Sequence, residues 1–135
     1  MRFVLNHALE KDTFLVTRSG ALQLRLVNDA RYFWVMIVPE TAATELHELD
    51  DRIAKSLWVM ARHLGRAMKT HCKAVKINTA AIGNLIPQLH CHIVARHTND
   101  EAWPHPVWSR GALHPLTNVT KAARLLTIQS WHGKM

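Results

Sequence analysis

The sequence predicts an α+β domain: an antiparallel sheet of about five strands with one long helix. Three observations carry this reading. Over the first forty residues, short apolar runs alternate with polar residues and are punctuated by turn signals. From residue 50 the apolar period lengthens to three and four. After residue 73 short strand-like runs return, so strands in succession flank a lone long helix, the pattern of an α+β chain.

Taken in order, residues 14–17 and 21–27 flank Arg18-Ser19-Gly20 and read as a hairpin. Leu22, Leu24 and Leu26 alternate with Gln23 and Arg25, the period of a half-buried strand. Asn28-Asp29 signals a turn, and residues 31–38 form a third, more buried strand ended by Pro39. Between 50 and 71, Ile53, Leu57, Met60, Ala61, Leu64 and Met68 recur at helical spacing, with Asp50 as N-cap. Residues 74–78 read as a strand, 79–84 as a loop and 86–96 as another strand. A Pro/Trp-rich stretch at 103–108 and a short helical segment near 120–130 follow. With no repeat and no linker, residues 1–135 form one domain, with a core of about 14–97 and a C-terminal tail over 98–135.

A chain of 135 residues can bury a real core, and 48% hydrophobic with 20% charged residues excludes a disordered protein. Cys72 and Cys91 have no CxxC spacing, which argues against a zinc knuckle or a disulfide framework. The longest apolar run, 32–39, is far short of the roughly 20 residues of a membrane span, and the first residues turn polar too soon for a signal peptide. A soluble, cytoplasmic protein with no membrane partner is expected. The net charge of +7 is uneven. Residues 1–51 hold 5 basic and 8 acidic side chains (−3), and residues 52–135 hold 12 and 2 (+10). The basic half favours a phosphate, nucleotide or nucleic acid, although Arg52, Lys55, Arg62, Arg66 and Lys69 also fit a solvated helix face. Nucleic acid rests on charge alone and ranks last.

The chemistry concentrates at 83–94. Strand alternation puts Gln88, His90 and His92 on one face, expected to be open, and Leu89, Cys91 and Ile93 on the other. Cys91 is then a buried filler rather than a reactive thiol. Three readings fit His90-x-His92. The pair could be structural, it could chelate a metal given a third ligand that the sequence does not nominate, or His90 could attack phosphorus. No cofactor is implied.

The longer run Gly83-Asn84-x-x-x-Gln88-Leu89-His90-Cys91-His92-Ile93-Val94 resembles the signature of the histidine triad (HIT) family. The order of elements over 14–97 is similar to that family's core, and Trp103-Pro104-x-Pro106-Val107-Trp108 looks like a bacterial branch of it. The resemblance implies a nucleotide hydrolase or nucleotidyl transferase that cleaves a nucleoside 5′-phosphate linkage through a nucleotidyl-histidine on His90. It implies that His92 binds non-bridging phosphate oxygens, that Asn28 meets the ribose, and that Gly83 and Asn84 lie by the phosphate. It also implies a homodimer with a continuous sheet. The partner would be a nucleotide or another small phosphate compound: a dinucleoside polyphosphate, a phosphoramidate or an acyl-adenylate.

Three positions depart from the signature. Gln88 replaces the first triad histidine, Leu85 replaces a hydroxyl residue, and Phe33-Trp34 replaces the Gly-His before the central strand. These changes point to an altered pocket or leaving group, or to a module that binds nucleotide with little turnover. Trp103 and Trp108 are read as packing back onto the sheet, and His105 ranks first among the remaining histidines.

Overall fold

The computed structural model describes residues 2–134 and contains one five-stranded antiparallel sheet with helices on it. A short helix α1 (His7–Asp12) leads into strands β1 (Thr13–Ser19), β2 (Leu22–Val27) and β3 (Phe33–Pro39). A 3-10 turn (Leu46–Glu48) precedes helix α2 (Asp51–His71). Strands β4 (Lys76–Ala81) and β5 (Cys91–Arg96) follow, then helix α3 (Asn118–His132). The strand order is β1-β2-β3-β5-β4, and every neighbouring pair is antiparallel.

The amphipathic period does what it predicts. Leu57, Met60, Ala61, Leu64 and Met68 are the buried residues of α2. They pack on Leu22, Leu24, Leu26, Val35, Ile37 and Ile93 from one sheet face. Asp50 caps the helix by accepting from the Ile53 N–H at 2.8 Å. α3 joins this layer through Ile128, and Trp131 packs at 5.7 Å from Phe33 and 5.5 Å from His71.

Several boundaries differ from the sequence expectation. The hairpin strands run through to Ser19 and Leu22, leaving Gly20 at φ +57 in the turn, a left-handed conformation that favours glycine. The third strand begins at Phe33, because Arg31 is tied to the turn by bonds to Asp29 of 2.8 and 3.1 Å. β4 begins at Lys76 and extends to Ala81, through residues expected to loop. β5 starts only at Cys91, not at 86. Pro87 has no N–H to give a ladder, and Leu89 donates instead to Ala43 O at 3.3 Å.

The second sheet face is not open. Val27, Trp34, Met36, Val38 and Val94 are buried there beneath Leu9, Ala102 and Val107, with Phe3, Leu5 and Trp108 packed against them. The Pro/Trp stretch thus folds back on the sheet, as its composition suggests. It is held by Arg96, which is fully buried and bonds Asp100 (2.8 and 3.0 Å), Asn78 (2.8 Å) and the His105 carbonyl (2.7 Å). Burial by itself would raise the Asp100 carboxyl. The bonds from Arg96 and from the His97 and Trp103 N–H groups outweigh it and hold the carboxyl down at about 2. No helix among the described residues is long and apolar enough to cross a membrane.

Candidate active site

His90 and His92 meet at the start of β5, with ring centroids 4.9 Å apart and planes at 77°. Both are nearly fully buried. Register places His92 opposite Met36 on one side and Ala80 on the other, so its ring projects onto the covered second face. There it lies between two indoles, 5.6 Å from Trp34 and 5.4 Å from Trp108.

Hydrogen bonding fixes the proton on each ring. His90 Nδ1 lies 2.7 Å from the Gln88 carbonyl oxygen. A carbonyl can only accept, so Nδ1 carries the proton, and in the neutral ring Nε2 holds a free lone pair. His92 is the reverse. The Trp34 indole N–H donates to its Nδ1 at 3.1 Å. An indole can only donate, so Nδ1 is the acceptor and the proton sits on Nε2. Burial, and then the neighbouring His90, push the His92 imidazolium down to about 3, so His92 is neutral at physiological pH. The pair is a nucleophile-type nitrogen beside an uncharged N–H donor.

Gln88 does not share a strand face with the histidines, because residues 86–90 are not strand. Its side chain turns to the N-terminal segment, donating to Val4 O at 2.9 Å and accepting from Asn6 N–H at 2.8 Å. Its backbone carbonyl is what orients His90. Gly83 sits at φ +71, and a Cβ there would come within 3.4 Å of the Ile86 carbonyl, so the loop beside His90 requires glycine. Asn84 is exposed on that loop, and Leu85 is almost entirely in solvent. Asn28 lies elsewhere. It follows β2 at the Phe33 end of the sheet, about 17 Å along the strand direction from His90. Its side chain accepts from the Leu116 N–H at 2.8 Å.

A cavity of about 240 Å³ opens beside His90, lined by Thr44, Glu45, Leu46 and His47 on one side and by Ala81, Ile82, Gly83 and Pro87 on the other. A larger one, about 660 Å³, lies between the β1–β2 turn and the start of α2. It contains no histidine or cysteine, whereas the smaller one is lined by His90, so the smaller cavity is the chemical one. Among the described residues no cluster of three or more His, Cys, Asp or Glu side chains is placed to hold a metal ion. Cys91 is buried, and desolvation lifts its thiol to about 11, which keeps it inert as the alternation suggests. His105 is exposed, and its backbone makes its bonds: the carbonyl accepts from Arg96 at 2.7 Å and the N–H donates to Ala102 O at 2.8 Å.

Sequence reasoning missed the part played by Trp34, which appeared only as a departure from a motif. The signal lay in spacing: Trp34 pairs with Val94, two residues from His92 and on the same face. It also missed the residues 44–47, which carry no recognisable pattern.

A five-stranded α+β domain with two oriented histidines at one strand end has known counterparts. The chain matches the HIT domain over residues 8–99 and belongs to that family, one of nucleotide-binding proteins that include hydrolases and transferases. It is similar to a histidine triad protein from Marinobacter aquaeolei (31% identity, 99% of this chain and 98% of that one, TM-score 0.95). It is also similar to one from Bradyrhizobium japonicum (32%, 96% and 98%, TM-score 0.92) and one from Sinorhizobium meliloti (36%, 92% and 95%, TM-score 0.84). Among curated proteins none matches.

Proposed function

We propose that the protein is a nucleotide hydrolase or nucleotidyl transferase in which His90 Nε2 attacks the α-phosphorus of a nucleoside 5′-phosphate linkage. The observation that carries this is the opposed tautomers: a lone pair on His90 Nε2 and a proton on His92 Nε2, in rings 4.9 Å apart. Attack gathers negative charge on the phosphoryl oxygens. A fixed N–H donor in a dry site stabilises that charge without reorganising. The Gln88 carbonyl stabilises the positive imidazolium that His90 becomes on bonding phosphorus. Gly83 and Asn84 line the approach to the phosphate, and Gln88 itself contributes by holding the residues beside the site; Asn28, about 17 Å away along the strand direction and bonded to Leu116, is left out of the nucleoside contacts. A homodimer, as in the family the sequence resembles, and a cytoplasmic setting complete the proposal.

Incubation with a nucleoside 5′-phosphate ester of a good leaving group, followed by acid-free mass spectrometry, tests it. One nucleotidyl group on His90, absent in His90→Ala, is expected. The rival reading is a module that binds nucleotide without turnover, favoured by Leu85 at a position where a hydroxyl would face the scissile bond. Tight binding to wild type with no adduct and no product supports that rival and overturns the enzyme.

A further inference from the structure

Helix α2 carries a charged surface of its own, across the sheet from His92. Arg52, Lys55, Val59, Arg62, Arg66 and Lys69 recur at alternating intervals of three and four, so they form one stripe along the helix. All are exposed, and the stripe runs opposite the buried Leu57, Leu64 and Met68. At about 1.5 Å per residue it is roughly 26 Å long. Little acid balances it. Residues 52–99 contain no Asp or Glu, and Asp51 in the first turn is the one acid of the helix. The ion pairs among the described residues use only Arg31 and Arg96 as cations. Lys69 also donates to the Ala74 carbonyl at 3.2 Å.

Charge alone is a weak argument for a partner, but the stripe also holds exposed apolar groups. Trp58 is 60% exposed and Val59 is 59% exposed. Trp58 stands three residues after Lys55 and four before Arg62, so a cation flanks the indole on each side. An exposed ring set among guanidinium and ammonium groups matches a single-strand platform, where cations follow the phosphates and the ring stacks on a base. At its N-terminal end the stripe meets the larger cavity, which Arg52 and Lys55 line together with Leu22, Ile53 and Met60. Its volume of about 660 Å³ accommodates one unstacked nucleoside.

We propose that the outer face of α2 is a docking surface for single-stranded nucleic acid. The backbone lies along the arginines and lysines, Trp58 stacks on one base and the larger cavity takes another. A duplex fits less well. One side of α2 is buried against the sheet, so the helix cannot enter a groove, and paired bases cannot reach Trp58. An anionic membrane also fits less well, because lipid binding grows with buried apolar area and α2 exposes only Trp58 and Val59 as large apolar side chains. The surface is separate from the histidine pair, so the inference stands apart from the nucleotidyl-transfer reading.

Fluorescence anisotropy with a labelled single strand of about ten nucleotides, within the usual range of single-strand sites, tests it. Wild type should bind at low salt, with a log–log slope of affinity against salt of about −3.5, or about −0.7 for each cation. Arg62→Ala combined with Arg66→Ala should bring the slope to about −2 while the His90 adduct still forms. Both side chains are exposed, so the fold should be kept. Trp58→Ala should weaken binding at least fivefold at an unchanged slope. His90→Ala should bind the strand as wild type does. No binding at low salt, equal or tighter binding of the matching duplex, tighter binding to phosphatidylserine vesicles, or a slope unmoved by the arginine pair overturns the inference. Loss of binding in His90→Ala also overturns it, by placing the strand at the histidines. So does a Trp58→Ala protein that sediments differently from wild type yet binds the strand equally well, since Trp58 is then a contact between copies.

Discussion

Trp34→Phe isolates what the indole N–H does for His92. The wild-type bond is 3.1 Å long and buried, and among the described residues it is the hydrogen bond that puts the His92 proton on Nε2. A buried hydrogen bond between neutral groups contributes about 1 kcal/mol, and an orphaned buried acceptor costs about 1–3 kcal/mol. Phenylalanine keeps an aromatic ring but gives up volume in a packed layer, so a total destabilisation of about 2–4 kcal/mol is expected from urea unfolding. The preference for the Nε2–H tautomer falls by about the same 1–1.4 kcal/mol, at most tenfold in tautomer ratio. Nucleotidyl transfer should therefore drop about two- to tenfold in kcat with little change in KM. Deleting the donor by His92→Ala should cost 100- to 1,000-fold. The direct assay is nitrogen-15 NMR of labelled histidine. In wild type at pH 7, His92 should show a pyridine-type Nδ1 and a protonated Nε2, with the signals mixing in Trp34→Phe. A wild-type His92 protonated at Nδ1, or doubly protonated at pH 6, refutes the reasoning whatever the kinetics show.

Two further outcomes follow from the same geometry. The folded-state His92 imidazolium is held down at about 3, below the ordinary value of about 6.5, so the unfolded chain binds its proton first as pH falls. Stability is full above pH 6.5 and declines between 6.5 and 3, by up to about 1.4 kcal/mol per unit; His92→Gln should flatten the urea-midpoint profile between pH 7 and 4.5, leaving the later loss from Asp100 below about 3.8. Gln88→Ala frees Val4 O and Asn6 N–H, so exchange at the Asn6 amide should speed up at least tenfold; His90 keeps its bond to the residue-88 backbone, and adduct formation should persist.

Patterns repeated over many residues were legible. The α2 stripe, the β2 alternation and the Asp50 cap each express a local rule that tertiary packing reinforces. The histidine pair was legible because a long spaced motif surrounds it. What alternation could not show is that Pro87 and the Leu89–Ala43 bond delay β5, which detaches Gln88 from the histidines and gives it to the N-terminal segment. The six-residue α1 was missed because it is too short to show a period, although Asn6 accepting from Ala8 N–H caps it. The second face was taken as open because its lid comes from residues 3–9 and 102–113, far away in sequence and without periodicity. The charge was legible as a solvated helix face, with Arg52, Lys55, Arg62, Arg66 and Lys69 all exposed on α2. The basic excess lies on α2 and the tail, whereas the segment bordering His90 is acidic.

The bond pair from Gln88 to Val4 and Asn6 has a practical side. The two ends of the described chain are not equivalent places to attach anything. Residues 2–6 are bound by the side chain of Gln88, whose carbonyl orients His90, so an affinity tag or fusion partner there would pull on the segment that Gln88 secures. The other end leaves from α3, which packs through Ile128 with the α2 layer on the opposite side of the sheet. A label, tether or fused reporter placed there leaves the reacting groups unencumbered.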